Sequence, residues 1–195
     1  MNIDKKILAN FVKSTLPIAD NIVSSITERF EQRFLNKNDF LLKEGKISDD
    51  YTFLEAGYIR AFTYDTEGNE VTTNIYCNNS IVFEPASFIK RKPTTENFQT
   101  LTDCTTWTLK YDTFQMLFHS IPQFREFARE VLVNVFITFK ERTLAMINLT
   151  AEQRYINLLK TRPDIFQNVS LKYLASYLGI TDTSLSRIRK EISQN

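Results

Sequence analysis

Between Pro122 and Asn148 the chain runs without an internal glycine or proline, and its centre, Val131 to Phe139, is apolar except for Asn134 and Thr138. A helix apolar on several sides must be covered on several sides. One side can pack on the rest of the chain. The stripe Phe124, Ala128, Val131, Val135 steps by 4, 3 and 4 residues, which is coiled-coil spacing. It is read as the seam of a parallel homodimer; the alternative is the central helix of a monomer core.

The texture differs on either side of this helix. Residues 2–30 carry helical spacing, first through Ile3, Ile7, Leu8, Phe11 and Val12, then after Pro17 through Ile22, Val23, Ile26 and Phe30. From Phe34 to Leu109 short β-branched and aromatic runs take over: Tyr51–Leu54, Tyr58–Tyr64, Val71–Tyr76 and Thr105–Leu109. Turn signals separate them, with Gly45, Gly57 and Gly68 at the breaks, a pattern that predicts an antiparallel sandwich or barrel. A short helix is expected from Thr113 to His119, ending before Pro122. The fold class is therefore α+β: an N-terminal antiparallel β-roll with flanking helices, a long dimerisation helix and a C-terminal helix-turn-helix. The boundaries are 1–121, 122–148 and 149–195.

The last segment carries the sharpest motif. Thr150 is placed to cap a helix through Lys160, Arg162-Pro163-Asp164 breaks it, and Ser170 caps a second helix from Leu171 to Leu178. Thr181 or Asp182 caps a third, through Ile192. Two helices that cross closely need a small residue at the contact, which Ala175 supplies, and a turn residue tolerant of positive φ, which Gly179 supplies. Leu174, Leu178, Ile180, Leu185 and Ile188 fall where apolar anchors belong. The outward face then presents Asp182, Thr183, Ser184, Ser186, Arg187 and Lys190, short hydrogen-bonding groups and cations suited to a major groove. Ser170 and Lys172 join Thr183, Ser184, Ser186, Arg187 and Lys190 as candidate DNA contacts. The alternative is a structural helix hairpin with a solvated polar face. From Thr150 onward seven Lys and Arg face four acids, about +3, although the whole chain carries only +1.

These pieces resemble the cyclic-AMP receptor/fumarate-nitrate regulator (Crp/Fnr) family of bacterial transcription factors over nearly the whole chain, and its Bacteroidetes-type branch in particular. The supporting residues are Phe40-Leu41-Leu42-Lys43-Glu44-Gly45, Tyr51 through Arg60, Gly68-Asn69-Glu70 and Leu185-Ser186-Arg187-Ile188. The resemblance implies a cyclic nucleotide-binding-like sensor, a homodimer, a near-palindromic double-stranded DNA operator and RNA polymerase as a further partner. It also puts Arg187 at the position of a base-reading arginine.

The resemblance points to a ligand cassette as well, and there the sequence departs from it. Relatives that hold cyclic AMP use a Phe-Gly-Glu run and an Arg-Ser-Ala run. Here Phe83 stands in place of the Gly, Glu84 matches the Glu, and Pro85 removes a backbone donor. Thr94-Thr95-Glu96 replaces Arg-Ser-Ala, so the phosphate loses its cation. Phe83, Glu84, Ala86, Ser87, Thr94 and Thr95 are the candidate pocket residues, for an unidentified small-molecule effector rather than cyclic AMP. Lys90, Arg91 and Lys92 could supply a cation, but a loop charge run is more often simply solvated.

Other chemistries lack their residues. Two distant cysteines, Cys77 and Cys104, give neither a disulfide framework nor an iron–sulfur site, and His119 is the single histidine. No nucleophile elbow, P-loop or dinucleotide fingerprint occurs, so no catalytic residue, metal or cofactor is expected. No stretch approaches eighteen apolar residues, which predicts a cytoplasmic protein without membrane contact. The rival to a DNA-binding regulator is a ligand-binding or interaction protein that kept the fold and lost DNA recognition.

Overall fold

A computed structural model describes residues 5–194. Two short helices, α1 (Lys6–Thr15) and α2 (Asp20–Thr27), precede eight strands. Ile3, read as part of the first helical stripe, lies outside the described residues. The strands are β1 (Glu31–Leu35), β2 (Phe40–Leu42), β3 (Asp50–Ala56), β4 (Ile59–Tyr64), β5 (Glu70–Tyr76), β6 (Ser80–Val82), β7 (Asn97–Thr100) and β8 (Cys104–Lys110), with the short α3 (Pro85–Lys90) after β6. They form two antiparallel sheets, ordered β1-β8-β3-β6 and β2-β7-β4-β5. Then follow α4 (Tyr111–Ser120), α5 (Pro122–Asn148), α6 (Ala151–Thr161), α7 (Ile165–Asn168), α8 (Leu171–Leu178) and α9 (Asp182–Gln194).

The uninterrupted buried run of β3, Tyr51 to Leu54, shows that the strand is covered on both faces. Leu54 joins Ile59, Ala61, Val82, Phe98 and Cys104 between the sheets. Tyr51 and Phe53 point the other way, into a core with Leu8, Val12, Trp107, Phe124 and Phe127. Aromatic contacts bind that layer: Phe11 lies 4.8 Å from Phe53, and Phe114 meets Phe124 edge-on at 5.2 Å. Gly57, between β3 and β4, has φ +108°, and a Cβ there would sit 2.5 Å from Cys104 Sγ. No other residue fits that turn.

Four strands have no clear signature in the sequence: β1, β2, β6 and β7. Three of them are only three or four residues long, and β1, β2 and β6 lie at sheet edges, where alternation is weak.

The helix α5 spans the expected residues, but the expected seam is wrong. Phe124 and Val131 are packed in the chain's own core, Ala128 is buried too, and only Val135 of that stripe is exposed. The β layer, α1 and α4 claim the N-terminal half of α5. Further along, Leu132, Val133, Phe136, Ile137, Phe139, Leu144, Met146 and Ile147 are exposed too, and among them Leu132, Phe136, Phe139 and Met146 are spaced 4, 3 and 7.

Candidate nucleic-acid interface

The C-terminal helices are built by local rules. Thr150, the expected cap, accepts the Gln153 amide through Oγ1 while the Gln153 side chain accepts the Thr150 amide, a reciprocal cap. Ser170 caps α8 by accepting the Tyr173 amide. At the end of α8, Gly179 takes φ +68°; its N–H bonds Ser176 O, and the Ile180 N–H reaches back to Ala175 O. That pair of bonds is the Schellman stop that a left-handed glycine permits. Thr181 Oγ1 then accepts the Ser184 amide at 3.2 Å and opens α9.

Leu174, Ala175, Leu178, Leu185 and Ile188 are buried together, and Ile180 packs against them. Burying Leu185 and Ile188 turns the opposite side of α9 outward. Thr183, Ser186, Arg187 and Lys190 share that exposed face at i, i+3, i+4 and i+7. Ser170 and Lys172 are exposed at the start of α8. Ser184 is half-buried, and its hydroxyl accepts from Thr181 Oγ1 at 3.0 Å, so it belongs to the cap. Arg189 is exposed as well and was missed, because a helical wheel alone does not say how wide the outward face is. Among the described residues no strand follows Lys110.

The other side of α8 rests on β5 rather than on solvent. Tyr58, Ile75 and Leu101 of the strand region share one apolar cluster with Tyr155, Leu158, Ile165 and Leu174. Arg60, with 3% of its side chain exposed, lies between the rings of Phe62 and Tyr173 at 3.9 and 3.8 Å. Its charge is met by Glu70 at 2.7 Å and by Gln99 Oε1 at 2.9 Å. Tyr58 donates its hydroxyl to Asp164 at 2.8 Å and accepts from Asn168 Nδ2 at 3.1 Å. Burial, then that hydrogen bond, pushes the Tyr58 hydroxyl up to about 12. These partners are over a hundred residues apart in sequence, which is why they were not foreseen.

The six candidate pocket residues do not form one open site. Glu84 is the N-cap of α3: its carboxylate accepts the Ala86 amide at 3.1 Å and the Ser87 amide at 2.5 Å. Those are the donors an anion would need, and the chain's own carboxylate already uses them. Ser87 is fully buried, accepting from the Ser48 amide and donating to Lys92 O. Thr94 is buried too, pairing its backbone with Gly45 and Lys46, and Thr95 O accepts from Thr63. Phe83 and Glu84 alone line the roll cavity, of about 280 Å³, with Leu42, Thr52, Val82 and Phe98. Arg91 does not reach it, since it donates to Ser48 O and Asp49 and stacks 3.8 Å from the Tyr111 ring. Among the described residues no cluster of His, Cys, Asp and Glu could hold a metal ion, and no helix is long and apolar enough to cross a membrane.

A two-sheet roll followed by one long helix and a compact helical end is the architecture of catabolite-activator-type proteins. Residues 32–120 match the cyclic nucleotide-binding domain family. Solved structures of the same fold include the c-di-GMP responsive global regulator CLP of Xanthomonas campestris, at 14% identity, covering 90% of this chain and 92% of that one, with a TM-score of 0.71. FixK2 of Bradyrhizobium japonicum gives 12% identity, 85% of each chain and a TM-score of 0.71. The catabolite activator protein of Thermus thermophilus gives 14%, 94% and 87%, and 0.59. These neighbours are regulators of the Crp/Fnr type. No curated protein matches the chain in sequence.

Proposed function

We propose that the chain is a Crp/Fnr-type transcription regulator that binds DNA as a homodimer and does not respond to cyclic AMP. The observation that carries this is the exposed row Thr183, Ser186, Arg187 and Lys190 on a helix locked across α8 by the Gly179 stop. Short donors and a forked cation on one exposed helix face suit the edges of bases in a major groove. The sequence divides accordingly into a sensor (1–121), a dimerisation helix (122–148) and a DNA-binding head (149–195).

The dimer reading rests on α5. Phe136 and Phe139 are 64% and 65% exposed in the single chain, and Leu132 and Met146 extend their row. Such a row on a soluble helix calls for cover, and a second α5 offers the same heptad-spaced surface. Two heads on one such axis would enter major grooves about one helical turn apart, on a near-palindromic operator. Cytoplasmic location and contact with RNA polymerase follow from this reading.

Independence from cyclic AMP is supported by Glu84, whose carboxylate occupies the α3 amides, and by Phe83, which stands where the cassette has its glycine and packs against Tyr51 and Phe88. The remaining cavity of about 280 Å³ would admit only a small effector.

The test is enrichment of sheared genomic DNA on the purified protein without added ligand, at two salt concentrations. A short palindrome that survives the higher salt is expected; salt-sensitive bulk binding alone would refute the reading. On that operator Arg187→Ala should cost about 1–3 kcal/mol of base discrimination. Unchanged selectivity would favour the rival, a protein that kept the fold and lost DNA reading. Calorimetry with cyclic AMP should show no micromolar binding.

A further inference from the structure

β5 is the free edge of its sheet, and the edge is not left open. The Thr72 amide donates to Ser176 Oγ of α8 at 2.8 Å. Ile75 O accepts from Arg162 Nη2 at 2.9 Å. Thr73 O accepts from Arg142 Nη1, and Arg142 Nη2 donates to Tyr177 O at 3.0 Å. The same guanidinium lies 4.3 Å from the Tyr177 ring centre. One side chain of α5 therefore holds a carbonyl of the roll and a carbonyl of α8 at once.

A carboxylate completes the junction. Glu96, just before β7, is hydrogen-bonded by the Thr73 hydroxyl, on the same residue whose carbonyl Arg142 grips. Burial pushes the Glu96 carboxyl up from its ordinary value and the Arg142 guanidinium down, while their mutual attraction opposes both shifts. Each charge is costly without the other nearby.

We propose that Arg142, backed by Glu96, is a built-in coupler: it locks α8 to the β5 edge and fixes the direction in which α9 is presented, without an effector. The idea rests on α9 being the DNA reader. A planar fork suits this role because two carbonyls on different elements must be held in one fixed geometry, which a lysine ammonium does not impose. In the locked arrangement Thr183, Arg187 and Lys190 remain exposed, so the locked form is the one that reads DNA.

The experiment compares full-length wild type with Arg142→Gln by hydrogen–deuterium exchange, sedimentation and titration of the operator recovered by enrichment. Exchange in α8 and β5 should accelerate at least about tenfold in the variant, with β3 and β8 unchanged and the dimer intact, and operator affinity should fall by about tenfold. Should Arg142→Gln fail to fold, Ser176→Ala removes the acceptor of the Thr72 amide more gently and should shift both readouts in the same direction. Unchanged protection of α8, or faster exchange with unchanged operator affinity, overturns the coupling alone. A wild type that enriches no palindrome overturns the reader on α9 and the coupling with it.

Discussion

Phe139→Ala should break the dimer and leave the fold of each chain intact. Phe139 is 65% exposed and absent from every buried cluster, so its truncation opens no cavity. An aromatic side chain carries roughly 200 Å² of surface, so about 130 Å² per ring is open to a partner, worth about 3 kcal/mol at ~25 cal/mol per Å². Symmetry doubles the loss, to about 6 kcal/mol if the partner covers the ring fully and about 3 if it covers half. Even the smaller figure raises the dimer dissociation constant more than a hundredfold. Sedimentation velocity over a concentration series reads this directly, with the melting temperature of the monomer as control. Phe124→Ala is the matched contrast: at 0% exposure within its own chain it should cost about 3–5 kcal/mol of fold stability, like other large core deletions. A Phe139→Ala protein that stays dimeric at wild-type concentrations would refute the argument. It would restore the earlier seam if Phe124→Ala were the variant that dissociated without melting.

Gly179→Ala should lower stability by about 1–2 kcal/mol, because φ +68° is strained for any Cβ. The new methyl would also clash with Met146 Cε, and thermal melts of Gly179→Ala with and without Met146→Ala separate the two causes. Glu84→Ala should cost about 1 kcal/mol by uncapping α3, read by urea titration. The Tyr58 hydroxyl is raised to about 12 in the folded chain, so its neutral form is favoured there; its stabilising contribution is complete below its ordinary value of 10.0 and is lost as the pH climbs from there towards about 12. The difference in stability between wild type and Tyr58→Phe should therefore shrink across that interval, and a flat difference in pH-dependent denaturation would show that burial and the Asp164 contact do not hold the hydroxyl neutral.

Much of the site was legible because it is local. The caps at Thr150 and Ser170, the stop at Gly179 and the anchors Leu174, Leu185 and Ile188 all act within a few residues. The candidate pocket was harder. The family resemblance suggested that Glu84, Ser87 and Thr94 could face a ligand, yet their hydrogen bonds go to the chain's own backbone. Sequence cannot say whether a polar group near a turn faces a ligand or closes the turn.

The sequence by itself determined the order of the helical, strand-rich and helix-turn-helix regions, the extent of α5 and the face of α9, because periodicity, capping and glycine placement are properties of neighbouring residues. Only the tertiary structure decided which side of α5 is free. The strand layer and α4 consume Phe124 and Val131, so the apolar surface left open is that of Phe136 and Phe139. It also decided that α8 lies on the β5 edge, where Arg60 and Arg142 find partners. An edge strand needs partners for its open amides and carbonyls, and which distant segment supplies them depends on the packing of the whole chain.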